Sequence, residues 1–302
     1  MDNLELLNYC IKNPEHFFDS NYMFTDKDQK LTLYINNTKK IKNLLIAIKE
    51  LLKRNENKTA DKLFLDLQKS VKNNKYSEYI CFVNACDINL EHIIKDIGLL
   101  KKVTTLYLEN RDLNEVVPSE WVQALIDSGA SRRKGQAGEN KLIELLENCN
   151  FKKVAAYSDF TKENKCVAKF KKTGDFSLLN IQKNLGITFG GNNQNKQLDL
   201  IIKNKDDTYF LEAKHMHISG GAQNKQILEL IELIREQILN PKYHIISFLD
   251  GTYFNIIFNT KNIDKEIKNK IINQQEDIIE ALTKNKNNYF INTAGFKKLF
   301  SN

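Results

Sequence analysis

Between Tyr243 and Gly251 the chain reads YHIISFLDG, a near-continuous apolar run closed by an acid and a glycine. A strand with one wet face alternates apolar and polar residues, whereas an unbroken apolar run fits a strand buried on both faces. Such a strand needs packing layers above and below, so it constrains the architecture more than any other stretch. Upstream, KQLDLIIKNKDDTYFLEAK holds two short apolar strands around the polar turn KNKDDT, the pattern of a hairpin. AQNKQILELIELIREQILNP then sets Ile227, Leu230, Ile231, Ile234 and Ile238 on one helical stripe, ended by Asn240 and Pro241. GQAGENKLIELLENC reads as an earlier helix, TYFNIIFN as a further strand and IDKEIKNKIINQQEDIIEAL as a late helix. Helix, hairpin, helix and strand in that order predict an α/β fold with a mixed sheet between helices.

Residues 1 to about 125 follow a different habit. IKNLLIAIKELLKR spaces Ile41, Leu44, Leu45, Ile48, Leu51 and Leu52 as a helix does, and ADKLFLDLQKSV repeats the pattern. Pro118 and Ser119 start a helix that Gly129 stops. The expected division is a helical N-terminal region, 1–128, and an α/β domain, 129–302.

With 302 residues, 41% of them hydrophobic, the chain can bury a sizeable core and does not have a disordered composition. No apolar run approaches the ~20 residues of a membrane helix. MDNLELLNYC lacks the basic and apolar regions of a secretory signal. The odd, scattered cysteines Cys10, Cys81, Cys86, Cys149 and Cys166 suit reduced thiols, and Cys81/Cys86 has no second pair to complete a zinc knuckle. The expected location is the cytoplasm, with no membrane partner. A net charge of +7 suits a phosphate-binding surface, although lysine abundance also serves solubility.

Glu-x-Lys is common here, recurring at Glu56/Lys58, Glu139/Lys141, Glu163/Lys165 and Glu266/Lys268. Glu212/Lys214 differs because it ends an apolar strand, where residues two apart share a face. The partner strand carries a lone carboxylate, Asp199, which a hairpin would bring alongside Glu212. Asp199 and Glu212 would give Mg²⁺ hard oxygen ligands, and that ion lowers the pKa of water and stabilises a leaving oxygen. Lys214 would orient or help deprotonate the attacking water, its own pKa pushed down by desolvation and a neighbouring cation. Solvated strand-end charges are an equally open reading of the same spacing. Glu139 shares a helical stripe with Leu142, Ile143 and Leu146, as a third metal-site acid would; a first-turn glutamate favoured by the helix dipole is the alternative.

Asp199, then Glu212-Ala213-Lys214 on the next strand, with Glu139 on a preceding helix, resembles the PD-(D/E)xK nuclease superfamily, especially its type II restriction endonucleases. The resemblance covers roughly residues 131–259. RKGQAGEN and FLDGTYF are similar to elements of the GATC-cutting enzymes, while Leu198 stands where a proline usually precedes the first acid. It implies a restriction-endonuclease-like mixed sheet flanked by helices. It also implies Mg²⁺-dependent cleavage of double-stranded DNA, usually by a homodimer, with a DNA methyltransferase as functional counterpart. Asp199, Glu212, Lys214 and Glu139 would form the catalytic set, and the three acids the metal set.

Candidate DNA contacts flank this set. Arg132, Arg133 and Lys134 form a basic segment before the helix, suited to phosphate or guanine and equally to solvent. Gly220 and Gly221 would let backbone approach a phosphate at a helix start, or equally form an ordinary strand-to-helix turn, and Gln223, Lys225 and Gln226 follow. His215 and His217, alternating around Met216, would touch DNA or bind a metal as in histidine-centred nucleases, with a plain polar surface as the favoured reading. The N-terminal helices would grip DNA or pair subunits. A repair or junction-resolving nuclease with the same core, or a non-catalytic DNA-binding protein, stays open.

Overall fold

The protein is described by a computed structural model covering residues 2–19, 22, 30–72, 76–86, 88, 90–128, 131–189, 196–217, 221–259 and 265–301. The chain divides into two compact units, one of Met1–Tyr22 with Arg132–Asn302 and one of Met23–Ser131. In chain order the helices begin with α1 (Asn3–Lys12), α2 (Lys30–Lys53), α3 (Asn57–Lys72) and α4 (Glu78–Ala85). They continue with α5 (Leu90–Lys95), α6 (Ile97–Asn110), α7 (Ser119–Ser128) and α8 (Ser131–Glu147). Then come β1 (Lys152–Lys153), α9 (Tyr157–Lys162), β2 (Lys165–Lys169), α10 (Leu178–Leu185), β3 (Leu200–Asn204) and β4 (Asp207–His215). The chain ends with α11 (Gly221–Ile234), β5 (Tyr243–Asp250), α12 (Tyr253–Phe258), α13 (Lys265–Lys284), β6 (Tyr289–Ile291) and α14 (Thr293–Phe300). No described helix is long and apolar enough to cross a membrane.

The unit Met23–Ser131 is helical among its described residues. Ile41, Leu45 and Ile48 of α2 meet Phe64 and Leu67 of α3, Tyr79 and Val83 of α4, and Leu100, Val103 and Tyr107 of α6 in one core. Local caps fix the element starts. Ser77 accepts from the backbone of Ile80, and Asp96 from Gly98 and Leu99, satisfying amides that a helix start leaves open.

The other unit is a six-stranded mixed sheet in the order β1-β2-β3-β4-β5-β6, flanked by helices. β3 pairs antiparallel with both β2 and β4, while β5 runs parallel to both β4 and β6. The hairpin of β3 and β4 turns at Lys205, whose φ of 57° lies in the left-handed region. β5 is buried along nearly its whole length, and α11, α12 and α14 pack on it, so the apolar run has layers to fill.

Three expectations change. The first residues do not belong to the helical region: Leu6, Leu7 and Cys10 of α1 join the sheet unit's core, against β6 and α14. The Asn3 amide donates to the carbonyls of Leu282, Asn285 and Asn288, fixing α1 at the far end of the chain. Secondly, TYFNIIFN is helical rather than a strand, because Tyr253, Phe254 and Ile257 are buried at helical spacing after a turn at Gly251 (φ 90°). Thirdly, α8 starts at Ser131, so Arg132, Arg133 and Lys134 lie within the helix rather than in a loop before it.

Candidate active site

Antiparallel pairing of β3 with β4 sets Leu200 opposite Leu211, which brings Asp199 beside Glu212 at the mouth of the hairpin. The Asp199 backbone amide donates to the Leu211 carbonyl at 3.0 Å, and the Ala213 amide donates to Asp199 Oδ2 at 2.8 Å. The carboxylate is therefore held from the strand that carries Glu212 and Lys214. Glu212 is 4% exposed, which a solvated strand-end charge would not be. Its Oε1 accepts from Lys214 Nζ at 2.7 Å, while its buried Oε2 has no hydrogen-bond partner among the described residues.

Electrostatics follow from this crowding. Burial first, and then the neighbouring Glu212 charge, push the Asp199 carboxyl up to about 7; Glu139 acts in the same direction. Lys214 departs from expectation. Burial works against its charge, but Glu212 and then Glu229 outweigh burial and raise its pKa. The expected depression needs a cation beside it, and in this structure its neighbours are anions.

Glu139 projects from α8, whose Leu142, Ile143 and Leu146 are buried in the sheet unit. Its carboxylate pairs with Lys169 of β2 at 2.8 Å. The three acids thus do not form the expected metal set: among the described residues no group of three or more His, Cys, Asp or Glu side chains is arranged to hold a metal ion. Asp199 and Glu212 by themselves fit Mg²⁺, which binds through one or two carboxylates with water and phosphate completing its shell. Asp199, raised by burial and by Glu212, thus lies beside a residue with one carboxylate oxygen that has no hydrogen-bond partner among the described residues.

Two residues missing from the sequence reading complete the cluster. Lys196, before β3, lies 3.6 Å from both Glu212 Oε1 and Glu229 Oε2; Glu229, on α11, also lies 3.5 Å from Lys214. Glu229 stands two residues beyond Ile227 on the helix, so its position beside the apolar stripe was the available signal.

The histidines lie apart from this cluster, and His215 is a correction. Its side chain is 8% exposed, its ring centroid lies 3.8 Å from that of Tyr22 at a 30° tilt and its Nδ1 3.6 Å from Asp250, so it faces the interior rather than solvent and DNA. Its Nε2 meets His217 Nε2 at 2.9 Å, and His217 Nδ1 meets the Thr252 hydroxyl at 3.3 Å. Asp250 also takes Lys141 Nζ at 2.9 and 3.0 Å and the Tyr22 hydroxyl. Lys141 reaches Asp19 at 2.6 Å and Thr293 at 3.0 Å. Burial opposes ionisation of Asp250, yet His215 and then Lys141 hold it well below the usual carboxylate range. This is a compensated internal network, unlike the Asp199–Glu212 pair.

Of the flanking candidates, Lys225 is exposed on α11. Gly221 and Gln223 fall in the first turn of α11, and Arg132, Arg133 and Lys134 in that of α8. The side chains of Gln223 and the three basic residues, and Gly220 altogether, lie outside the described residues. No protein-family model matches the chain, and comparison with curated proteins and with solved structures finds no significant similarity.

Proposed function

We propose that this chain is a Mg²⁺-dependent endonuclease of type II restriction character, cutting double-stranded DNA with a PD-(D/E)xK core in a restriction-endonuclease-like sheet. The observation that carries the reading is the pair of crowded carboxylates, Asp199 and Glu212, at adjacent strand ends with Lys214 bonded to Glu212. Mg²⁺ held by Asp199 and Glu212 would supply Lewis acidity toward the scissile phosphate. Lys214 stays charged beside Glu212 and offers its remaining N–H donors to a phosphate oxygen and to the attacking water. Ala213 fixes Asp199 through its backbone amide, so the acid keeps its aim without side-chain rearrangement. Glu139 acts from α8 by adding negative charge near Asp199, a tuning role.

Lys225 and the basic start of α8, Arg132 to Lys134, support contact with the DNA backbone. The remaining parts of the reading are a homodimer, a cytoplasmic setting and a methyltransferase that protects host DNA. The helical unit would grip DNA or pair subunits.

The test is incubation of long duplex DNA with the protein and Mg²⁺. Discrete fragments are expected, and a smear would mean a non-specific nuclease. Nicked and branched substrates separate a repair or junction-resolving enzyme. Asp199→Ala, Glu212→Ala and Lys214→Ala are expected to abolish cleavage and keep DNA binding, and Glu139→Ala to slow it. Intact DNA with the wild-type protein, or full cleavage by all three variants, refutes the proposal.

A further inference from the structure

Lys196 sits beside Glu212, and the proposed reaction leaves its chemistry unused. Its side chain is 17% exposed, and its Nζ is shielded from solvent without a hydrogen-bond partner among the described residues. Two carboxylates face it, Glu212 Oε1 and Glu229 Oε2, each at 3.6 Å. These are ion-pair distances, too long for hydrogen bonds. Lys214, between the same two carboxylates, does make a hydrogen bond, at 2.7 Å to Glu212.

An ammonium in a structural ion pair offsets its desolvation by donating to oxygen, and a buried donor left unused is costly. Lys196 has the charge neutralisation but not the bonds. Its three N–H groups lie beside Glu212 and Glu229, the two carboxylates that Lys214 also meets, and have no hydrogen-bond acceptor among the described residues, which suits an acceptor carrying several lone pairs in a small volume. A phosphodiester group is such an acceptor, with two non-bridging oxygens and one negative charge. Glu229, on α11, is the second carboxylate within ion-pair distance of the ammonium.

We propose that Lys196 is a phosphate-binding residue of the site, donating to a non-bridging oxygen of the phosphodiester while Lys214 serves the reacting side. The inference rests on the nuclease reading for its place in a reaction, but it concerns phosphate binding, which is measurable without cleavage. Loss of one phosphate contact lowers the steepness of the log affinity against log salt plot by about 0.9 for duplex DNA.

The experiment measures binding of the full chain to a duplex at several salt concentrations without divalent metal, for wild type, Lys196→Gln and Lys196→Arg. Cleavage with Mg²⁺ is measured beside it, with Lys214→Ala as reference. Lys196→Gln is expected to flatten the salt dependence by about one contact and to lower kcat/KM roughly 10²-fold, the scale for one lost oxyanion donor. Lys196→Arg keeps the charge and is expected to retain the wild-type salt dependence, which a merely structural role would not separate from the Gln variant. A wild-type salt dependence in Lys196→Gln overturns the proposal, and if Lys214→Ala is then inactive the nuclease reading stands alone. A flattened dependence in a protein that never cuts DNA leaves the phosphate contact and removes the nuclease. Absence of DNA binding by the wild-type chain overturns both.

Discussion

Replacing Asp199 by asparagine removes a charge that the folded unit resists holding. Burial, and then Glu212, raise this carboxyl from the ordinary 3.8 to about 7. A folded-state pKa above the unfolded one means that the native chain binds the proton more tightly. Stability is therefore unaffected at low pH, falls as the unfolded chain ionises near pH 4, and levels off above about pH 7. At ~1.4 kcal/mol per unit, a shift of about three units sets a ceiling of ~4 kcal/mol. Water reaching the partly exposed Asp199 reduces the gain to ~1–3 kcal/mol, because the effective dielectric of such sites is well above that of dry protein. Asparagine matches the shape of Asp199 and keeps an oxygen for the Ala213 amide, which donates at 2.8 Å in the wild type. Asp199→Asn is thus expected to match wild type near pH 4 and to exceed it by ~1–3 kcal/mol near pH 8, several degrees in Tm for a domain of this class. Mg²⁺ at about a hundred times its Kd is expected to add ~2.7 kcal/mol to the wild type and far less to the variant. The assay is calorimetry or circular dichroism rather than tryptophan fluorescence, since Trp121 lies on α7 in the helical unit. A variant less stable than wild type near pH 8, or an equal difference at both pH values, would refute the reasoning.

Other substitutions probe the scaffold. Lys141→Met leaves Asp250 buried with its main cation removed, and is expected to cost ~3–5 kcal/mol in denaturant unfolding. A cost below ~1 kcal/mol would mean that Tyr22 and His215 compensate Asp250 unaided. Gly251→Ala forces a Cβ to 2.5 Å from the Met216 carbonyl oxygen at a φ of +90°, so the backbone after β4 and β5 must move. The expected loss is ~1–3 kcal/mol with slower cleavage, and unchanged melting together with unchanged activity would contradict it.

The central strands were legible because their signals are local. β5 declares itself by an unbroken apolar run, and the β3–β4 hairpin by two apolar segments around a polar turn, so the nearness of Asp199 and Glu212 followed from period two alone. α12 was misread although Tyr253, Phe254 and Ile257 carry the helical spacing, because an aromatic-rich segment after a strand also suits a strand. The place of α1 was not legible: its partners, Asn285 and Asn288, lie at the other end of the chain, and nothing in NLELLNYCIK names the surface that its apolar side covers.

The two lone acids of the central strands show where sequence reasoning stops. Asp199 and Asp250 each stand beside apolar residues at a strand end, and by pattern they are alike. Space separates them. Asp250 meets His215 and Lys141, the latter a lysine from one of the Glu-x-Lys triplets that base rates discount, and these partners outweigh burial and hold the acid low. Asp199 meets Glu212, and burial first and then the partner's negative charge push it high. An acid held low is finished: adding a cation there gains little, and removing its lysine costs stability. An acid pushed high by burial and by a second carboxylate is one that added positive charge would bring down, as the proposed metal ion would. The sign of the nearest partner therefore separates two carboxylates that pattern alone makes alike. That sign is fixed by packing between residues as far apart as Lys141 and Asp250, not by either residue's neighbours in the chain.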